Sequence, residues 1–370
     1  MEKKIIPSTQ APEPALLSHT LRKNLPFVSS LHQCLPLAGD ASNRRYYRLR
    51  LTGSPISSVI LMQLADPEGF KASEEAVSGT SPDITELPFV NVLNHLRQAG
   101  VSVPALYYYD QPAGLLYLED FGDLTLVQVS NSVGKSELES VYHQAVDQLV
   151  EMHLRATFPA NASCLAFRRK FTDALLMWEF DHFLEYGVVG RRGSPMPERD
   201  QYVVREEFQK IAGWMAAQPH VFTHRDYHSR NLMVDGERLG VLDFQDALMG
   251  PATYDLASLL RDSYVELGED LIDRLIDRYI EGLSRGLEPS AQAQMLLADR
   301  SAFRRLFDLT SIQRNLKAAG RFVYIDHVKH NPKFLTDIPR TLGYVRKNLE
   351  KYPELETLRT HLTPYVPEWQ

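Results

Sequence analysis

The sequence predicts an α+β chain of two lobes, a small β-rich one followed by a large, mainly helical one. Short apolar runs separated by turn residues fill the chain as far as residue 120. Beyond Phe121, apolar residues recur at helical spacing. One polar, strand-flanked island, residues 221–247, interrupts those helices. The expected organisation is a flexible, proline-rich tail at 1–13, a β-rich lobe at 14–120 and a helical lobe at 121–370.

In the first lobe, strands are expected at 31–39, 43–51 and 57–65, with Gly39, Asp40, Gly53 and Pro55 supplying the bends between them. Residues 71–83 lack apolar periodicity and read as a mobile loop. Leu87, Val90, Leu93 and Leu96 then follow a helical stripe, with Gly100 as its C-cap. Residues 103–110 and 114–120 read as two further strands of the same antiparallel sheet. In the second lobe, helices are expected at 136–156, 172–186, 201–217, 253–283, 289–329 and 338–351.

Composition narrows the function classes. With 370 residues, 44% of them hydrophobic and 24% charged, the chain can bury a sizeable core, which excludes wholesale disorder. Forty Lys and Arg against 47 Asp and Glu give a net charge of -7 and no broad electrostatic footprint for nucleic acid. Two cysteines, Cys34 and Cys164, are too few to staple a chain of this length and point to a reducing compartment. The N-terminus lacks the roughly 7–15-residue apolar region of a secretory peptide. No run approaches the roughly 18 apolar residues that span a bilayer. The expectation is a cytoplasmic protein with neither membrane nor nucleic acid as partner.

The island carries the chemistry. Within His224-Arg225-Asp226-Tyr227-His228-Ser229-Arg230-Asn231 stand two His, two Arg, an Asp and an Asn, bounded by apolar strands. Asp243 ends the next apolar strand, 239–242. A hairpin turning at Asp235-Gly236 brings Asn231 and Asp243 to one end of the ladder. An amide oxygen beside a carboxylate is a hard ligand pair suited to Mg²⁺, which takes few protein ligands and completes its shell with phosphate oxygens. Asp226, five residues before Asn231, is placed to accept a proton from an attacking hydroxyl. H-R-D-x-x-x-x-N followed by D-F-x is the pattern of kinase catalytic and metal loops.

Phosphoryl transfer from ATP asks for further parts. The turn at 39–51 (GDASNRRYYRLRL) is a strand–turn–strand suited to covering nucleotide phosphates, with Asp40, Ser42, Arg44 and Arg45 as candidate contacts, although it lacks the G-x-G-x-x-G glycines. The third strand carries Met62 where kinases place a lysine, so the helical glutamate that pairs with such a lysine has only Glu86 as a candidate. The segment GLLYLEDFGD (114–123) is where a hinge would meet adenine, with Glu119 and Phe121 as candidates.

With these residues in view, the chain resembles the aminoglycoside phosphotransferase superfamily, small-molecule kinases with a protein-kinase-like two-lobed fold. The likeness is strongest to bacterial anomeric N-acetylmuramate/N-acetylglucosamine kinases of cell-wall recycling. It rests on GDASNRRYYR, SVILMQLADP, LLYLEDFGDLT, HRDYHSRNLM with VLDFQDALMGPATYDLASLLRDSY, and QRNLKAAGRF (313–322). The resemblance implies ATP and Mg²⁺, with Asp226 as base and Asn231 and Asp243 as metal ligands. It implies an N-acetylated amino sugar as acceptor, phosphorylated at its anomeric hydroxyl, and a sugar 1-phosphate that could feed a uridylyltransferase. In such kinases the third strand also lacks the lysine, so Met62 is expected; Gln63 departs from their M-D-A-P-type run. The alternatives are an aminoglycoside, choline or homoserine acceptor on the same fold, or a nucleotide-binding regulator without turnover.

Other residues divide by chemistry. His224 is expected to brace the loop, and Arg225 to neutralise Asp226 or a neighbouring carboxylate. Asp255 is expected to tie the catalytic loop down from a helix N-terminus. His228, Arg230, Asp262, Trp178, Asp181 and Arg314 are candidate acceptor contacts, Asp262 by lying two turns beyond Asp255 on one helix. Phe180 fits a core position at least as well as a sugar-stacking one.

Overall fold

The computed structural model describes residues 11–37, 44–64, 85–236, 238–286 and 297–370. Asp40, Ser42 and the loop expected at 71–83 lie outside them, as does most of the tail expected at 1–13. The chain divides into two compact units, residues 1–73 with 103–123, and residues 74–102 with 124–370.

The smaller unit is a five-stranded antiparallel sheet of β1 (Ser30–Pro36), β2 (Arg45–Thr52), β3 (Ser58–Gln63), β4 (Leu106–Asp110) and β5 (Leu115–Glu119), in the order β1-β2-β3-β5-β4. Helix α1 (Pro14–Lys23), for which the sequence reading has no counterpart, begins on a proline suited to the first helical position. Leu17 and Leu21, one turn apart, join Tyr47, Leu49, Val59, Leu61, Leu115 and Tyr117 in the core of this unit. Met62 is fully buried between Tyr46 and Leu116 of the flanking strands, so an apolar side chain fits where a lysine would leave a charge in the sheet. Arg48 ties the end of β5 to the sheet: its guanidinium bonds Asp120 at 2.6 Å, Asp123 at 2.5 Å and the Gly122 carbonyl at 2.8 Å.

The larger unit holds α2 (Pro88–Gln98), α3 (Leu126–Ser132), α4 (Lys135–Arg155), α5 (Asp173–His182), α6 (Glu198–Ala216), α7 (Thr253–Leu260), α8 (Glu269–Gly286), α9 (Arg300–Lys329), α10 (Ile338–Lys351) and α11 (Glu356–Leu362). The expected lobe boundary at residue 120 grouped α2 with the sheet; its packing groups it here. The Phe89 ring packs at a tilt 5.0 Å from Phe244, and His95 bonds the Ala156 carbonyl at 2.7 Å. The single helix expected over 253–283 is two, α7 and α8, because the chain leaves helical geometry at Arg261.

The island forms two small antiparallel pairs. Strands β7 (Leu232–Asp235) and β8 (Arg238–Val241) are the expected hairpin, turning where Gly236 takes a positive φ of 61°. Strand β6 (His220–Thr223) pairs with β9 (Leu248–Pro251). Helix α5 runs on as a π-helix, Phe183–Gly190. Helix α9 crosses it at Gly320, where a Cβ would stand 2.8 Å from the Phe183 Cα, so only glycine allows this approach.

Candidate active site

The loop between β6 and β7 is held by backbone donors. Both Asp255 carboxylate oxygens accept from it, one from the His224 N–H at 2.6 Å and the other from the Arg225 N–H at 2.9 Å. Asp255 lies in the first turn of α7, as expected of a residue that ties the loop down. The His224 ring bonds the Leu242 carbonyl at 2.8 Å, and the buried Tyr227 hydroxyl donates to the Ala145 carbonyl of α4 at 2.9 Å. Arg225 has a φ of 78°, uncommon outside glycine, and both its N–H and its guanidinium are bonded, which holds it there.

The hairpin delivers the metal-ligand candidates together. Leu232 pairs with Val241, and the Leu242 N–H donates to the Asn231 carbonyl at 2.9 Å, so Asn231 and Asp243 share one end of the ladder. The Asn231 Nδ2 donates to the Asp226 carbonyl at 3.0 Å, which commits the amide nitrogen and leaves the amide oxygen for a cation. Asp243 has a positive φ of 62° and an exposed side chain, while Phe244 beside it is fully buried. Gln245 Nε2 donates to Asp243 at 2.8 Å.

Asp226 is ionised by its surroundings. Burial alone would raise its pKa, but Lys317, His228, Arg314 and Arg225 outweigh that and hold the carboxyl well below its ordinary range. Burial pushes the His228 ring toward its neutral form. Behind these groups lies a carboxylate the sequence reading passed over. Glu179, fully buried on α5, accepts from Arg225 at 2.9 Å and Gln313 at 2.8 Å, and lies 3.2 Å from the Lys317 ammonium. Burial would raise the Glu179 pKa, and the Lys317 and Arg225 charges bring it below the ordinary value. Burial would likewise discharge Lys317, but Glu179, Tyr254 and Asp226 keep it protonated.

A signal for Glu179 was present. Leu175, Glu179 and Phe183 fall at i, i+4 and i+8 along α5 and the start of its π-helical continuation, all three buried, and Gln313 likewise sits among Leu309, Ile312 and Leu316 on α9. A polar residue in a buried phase needs a partner.

The remaining candidates separate. Arg314 and His228 lie in the electrostatic neighbourhood of Asp226, and Arg230 stacks 3.7 Å over Tyr264 with Asp337 at 3.8 Å. Asp262 is not two turns along α7; it lies beyond the helix end, nearly fully buried, with its oxygens bonded to the Ser229 and Tyr264 N–H groups at 2.9 Å each. Its carboxylate braces the loop where a sugar contact was expected. Asp181 faces away from Glu179 and is ion-paired to Arg205 of α6. Phe180 is core, stacked 4.0 Å from Phe208, and Trp178 stacks parallel to His182 at 5.9 Å. In the smaller unit, Arg44 and Arg45 stand at the start of β2, Phe121 is buried, and both the N–H and the carboxylate of Glu119 are engaged with Ala105 at 2.8 and 3.0 Å. Glu86 is an exposed residue before α2, bonded to Asn91 at 3.0 Å.

An aspartate on a braced loop, five residues before an asparagine that shares one end of a hairpin with a D-F aspartate, is the pattern of a phosphotransferase loop, here on a protein-kinase-like fold. The fold comparisons agree. Choline kinase from Cryptosporidium parvum aligns with a TM-score of 0.60 at 10% identity over 94% of this chain and 99% of that one. ADP-bound aminoglycoside phosphotransferase APH(2'')-Ib aligns with a TM-score of 0.54 at 11% identity over the same shares. The sequence pattern of the phosphotransferase enzyme family matches residues 33–289, and the chain belongs to that family. It is 30% identical to an N-acetylmuramate/N-acetylglucosamine kinase of Pseudomonas putida, over 87% of this chain and 85% of the relative. It is 31% identical to a protein of the same name from Neisseria meningitidis, over 89% of each. No helix among the described residues is long and apolar enough to cross a membrane.

Proposed function

We propose that the chain transfers the γ-phosphoryl group of ATP to the anomeric hydroxyl of N-acetylmuramate or N-acetylglucosamine. The observation that carries the chemistry is the ionised Asp226 beside the Asn231–Asp243 pair; the acceptor follows from the relatives matched over most of the chain. Asp226 accepts the proton as the sugar oxygen bonds to phosphorus, the bond from the γ-phosphorus to its bridging oxygen breaks, and ADP leaves with that electron pair. Positioning supplies much of the rate, and the backbone-braced loop provides it. Asn231 and Asp243 are hard oxygen donors that fit Mg²⁺, which when bound would neutralise the charge on the phosphates.

Arg44, Arg45, Glu119 and Phe121 are assigned to the nucleotide, and so are Asp40 and Ser42 beyond the described residues. A sugar 1-phosphate is a substrate for nucleotidyl transfer, so a uridylyltransferase in the cytoplasm is the expected consumer. Incubation with labelled ATP and a panel of amino sugars, choline, homoserine and aminoglycosides tests the reading, with the phosphate position assigned by NMR. The expected product is the 1-phosphate of an N-acetylated amino sugar. Phosphate on another hydroxyl, transfer to a cationic alcohol instead, or ATP binding without product would refute it.

A further inference from the structure

Of the cations Arg225 and Arg230 on the loop and Arg314 and Lys317 on α9, three have a counter-charge or ring in place. Arg225 and Lys317 share Glu179, and Arg230 lies over Tyr264 near Asp337. Arg314 is different. It is only 5% exposed, its Nε is buried without a partner, and no carboxylate among the described residues stands within ion-pair reach of it. An arginine remains charged at any physiological pH, and burying that charge unpaired is costly, so such a group persists where a ligand brings the anion.

Its position indicates which ligand. Arg314 is one residue beyond Gln313, which bonds Glu179, and three before Lys317 on the same face of α9. Its charge acts on Asp226, His228 and Tyr264, the surroundings of the base, and it hydrogen-bonds to neither Asn231 nor Asp243. The His228 Nδ1 is another buried polar atom there without a partner. An acceptor hydroxyl must come within hydrogen-bond reach of Asp226, so an anion carried by the acceptor, or the phosphoryl group it receives, stands beside the base. The lack of any bond from Arg314 to Asn231 or Asp243 favours the acceptor.

Resting on the proposed acceptor, we infer that Arg314 binds the lactyl carboxylate of N-acetylmuramate and sets the preference for that sugar over N-acetylglucosamine. The test measures kcat/KM on both sugars for the wild type and for Arg314→Gln. The muramate-to-glucosamine ratio should fall about 10- to 100-fold, the size of one lost charge-assisted hydrogen bond. A ratio unchanged while both activities fall, or a rise confined to the KM for ATP, would overturn the inference and assign Arg314 to the phosphates or to the fold. A second arm needs no variant: wild-type enzyme with N-acetylmuramate amidated at its carboxyl should lose the same preference, and full retention would count against the inference. Wild-type turnover on neither sugar would instead bring down the acceptor reading itself, and this inference with it.

Discussion

The carboxylates of Asp255 and Asp262, which brace the catalytic loop, are satisfied mainly by backbone N–H groups, with the buried His153 ring 3.3 Å from Asp255, whereas Glu179 on α5 is satisfied by the side chains of Arg225, Gln313 and Lys317. A backbone donor is fixed by the path of the chain and adds no net charge. A charged side chain adds a field that reaches its neighbours through a poorly screened interior. The path of the loop that carries Asp226 is therefore set by neutral donors, and the charge state of Asp226 by Lys317 and Arg314 of α9 together with Arg225 of the loop itself.

The largest stability effect that follows is at Glu179. Glu179→Gln leaves Arg225 and Lys317 buried without their anion, and urea unfolding should show a loss of about 3–5 kcal/mol near neutral pH. Because the folded-state pKa of Glu179 is depressed, its contribution is present above the ordinary glutamate range and lost as pH falls through the depressed value. The difference between variant and wild type should shrink in acid. A difference independent of pH would mean that the network holds α5 by packing alone.

A smaller effect sharpens the electrostatic half of the contrast. Lys317→Met removes the leading cation acting on Asp226, so the aspartate pKa should rise. The base works ionised, and the acid limb of the kcat/KM profile should therefore move to higher pH than in the wild type. An unmoved limb would show that the loop alone sets the charge state.

The smallest effect belongs to a pair that looks similar on paper. Arg48 is bonded to both Asp120 and Asp123, but the Asp123 side chain is 76% exposed and Asp120 retains the guanidinium. Asp123→Ala should cost less than about 1 kcal/mol by thermal unfolding, and a larger loss would place the end of β5 among the buried networks.

The same contrast explains what was legible in the sequence. The loop, the hairpin and the placing of Asn231 and Asp243 at one end of the ladder could be read because all lie within residues 221–247, where strand register fixes which residues face each other. The five strands and most helices were legible from periodicity for the same reason. Glu179 and Lys317 are 138 residues apart by numbering, and no local pattern reports that two helices bring them together. Asp181 looked more functional than Glu179 because it stands beside Trp178 on the polar side of α5, and that side faces Arg205. Asp262 was misplaced because α7 ends at Leu260, before a second turn could carry it. The β6–β9 pairing joins the two ends of the island and was not read from either strand alone.

The role of Asp226 can be tested most directly by comparing Asp226→Asn with the wild type in two assays, steady-state turnover and titration with Mg²⁺ and ATP. The substitution keeps the shape of the side chain and removes its capacity to take a proton. Turnover should fall by about 10²–10⁴-fold, the range of a general-base contribution, while nucleotide binding stays close to that of the wild type. Undiminished turnover would contradict the assignment of Asp226 as the base on which the phosphotransferase mechanism rests.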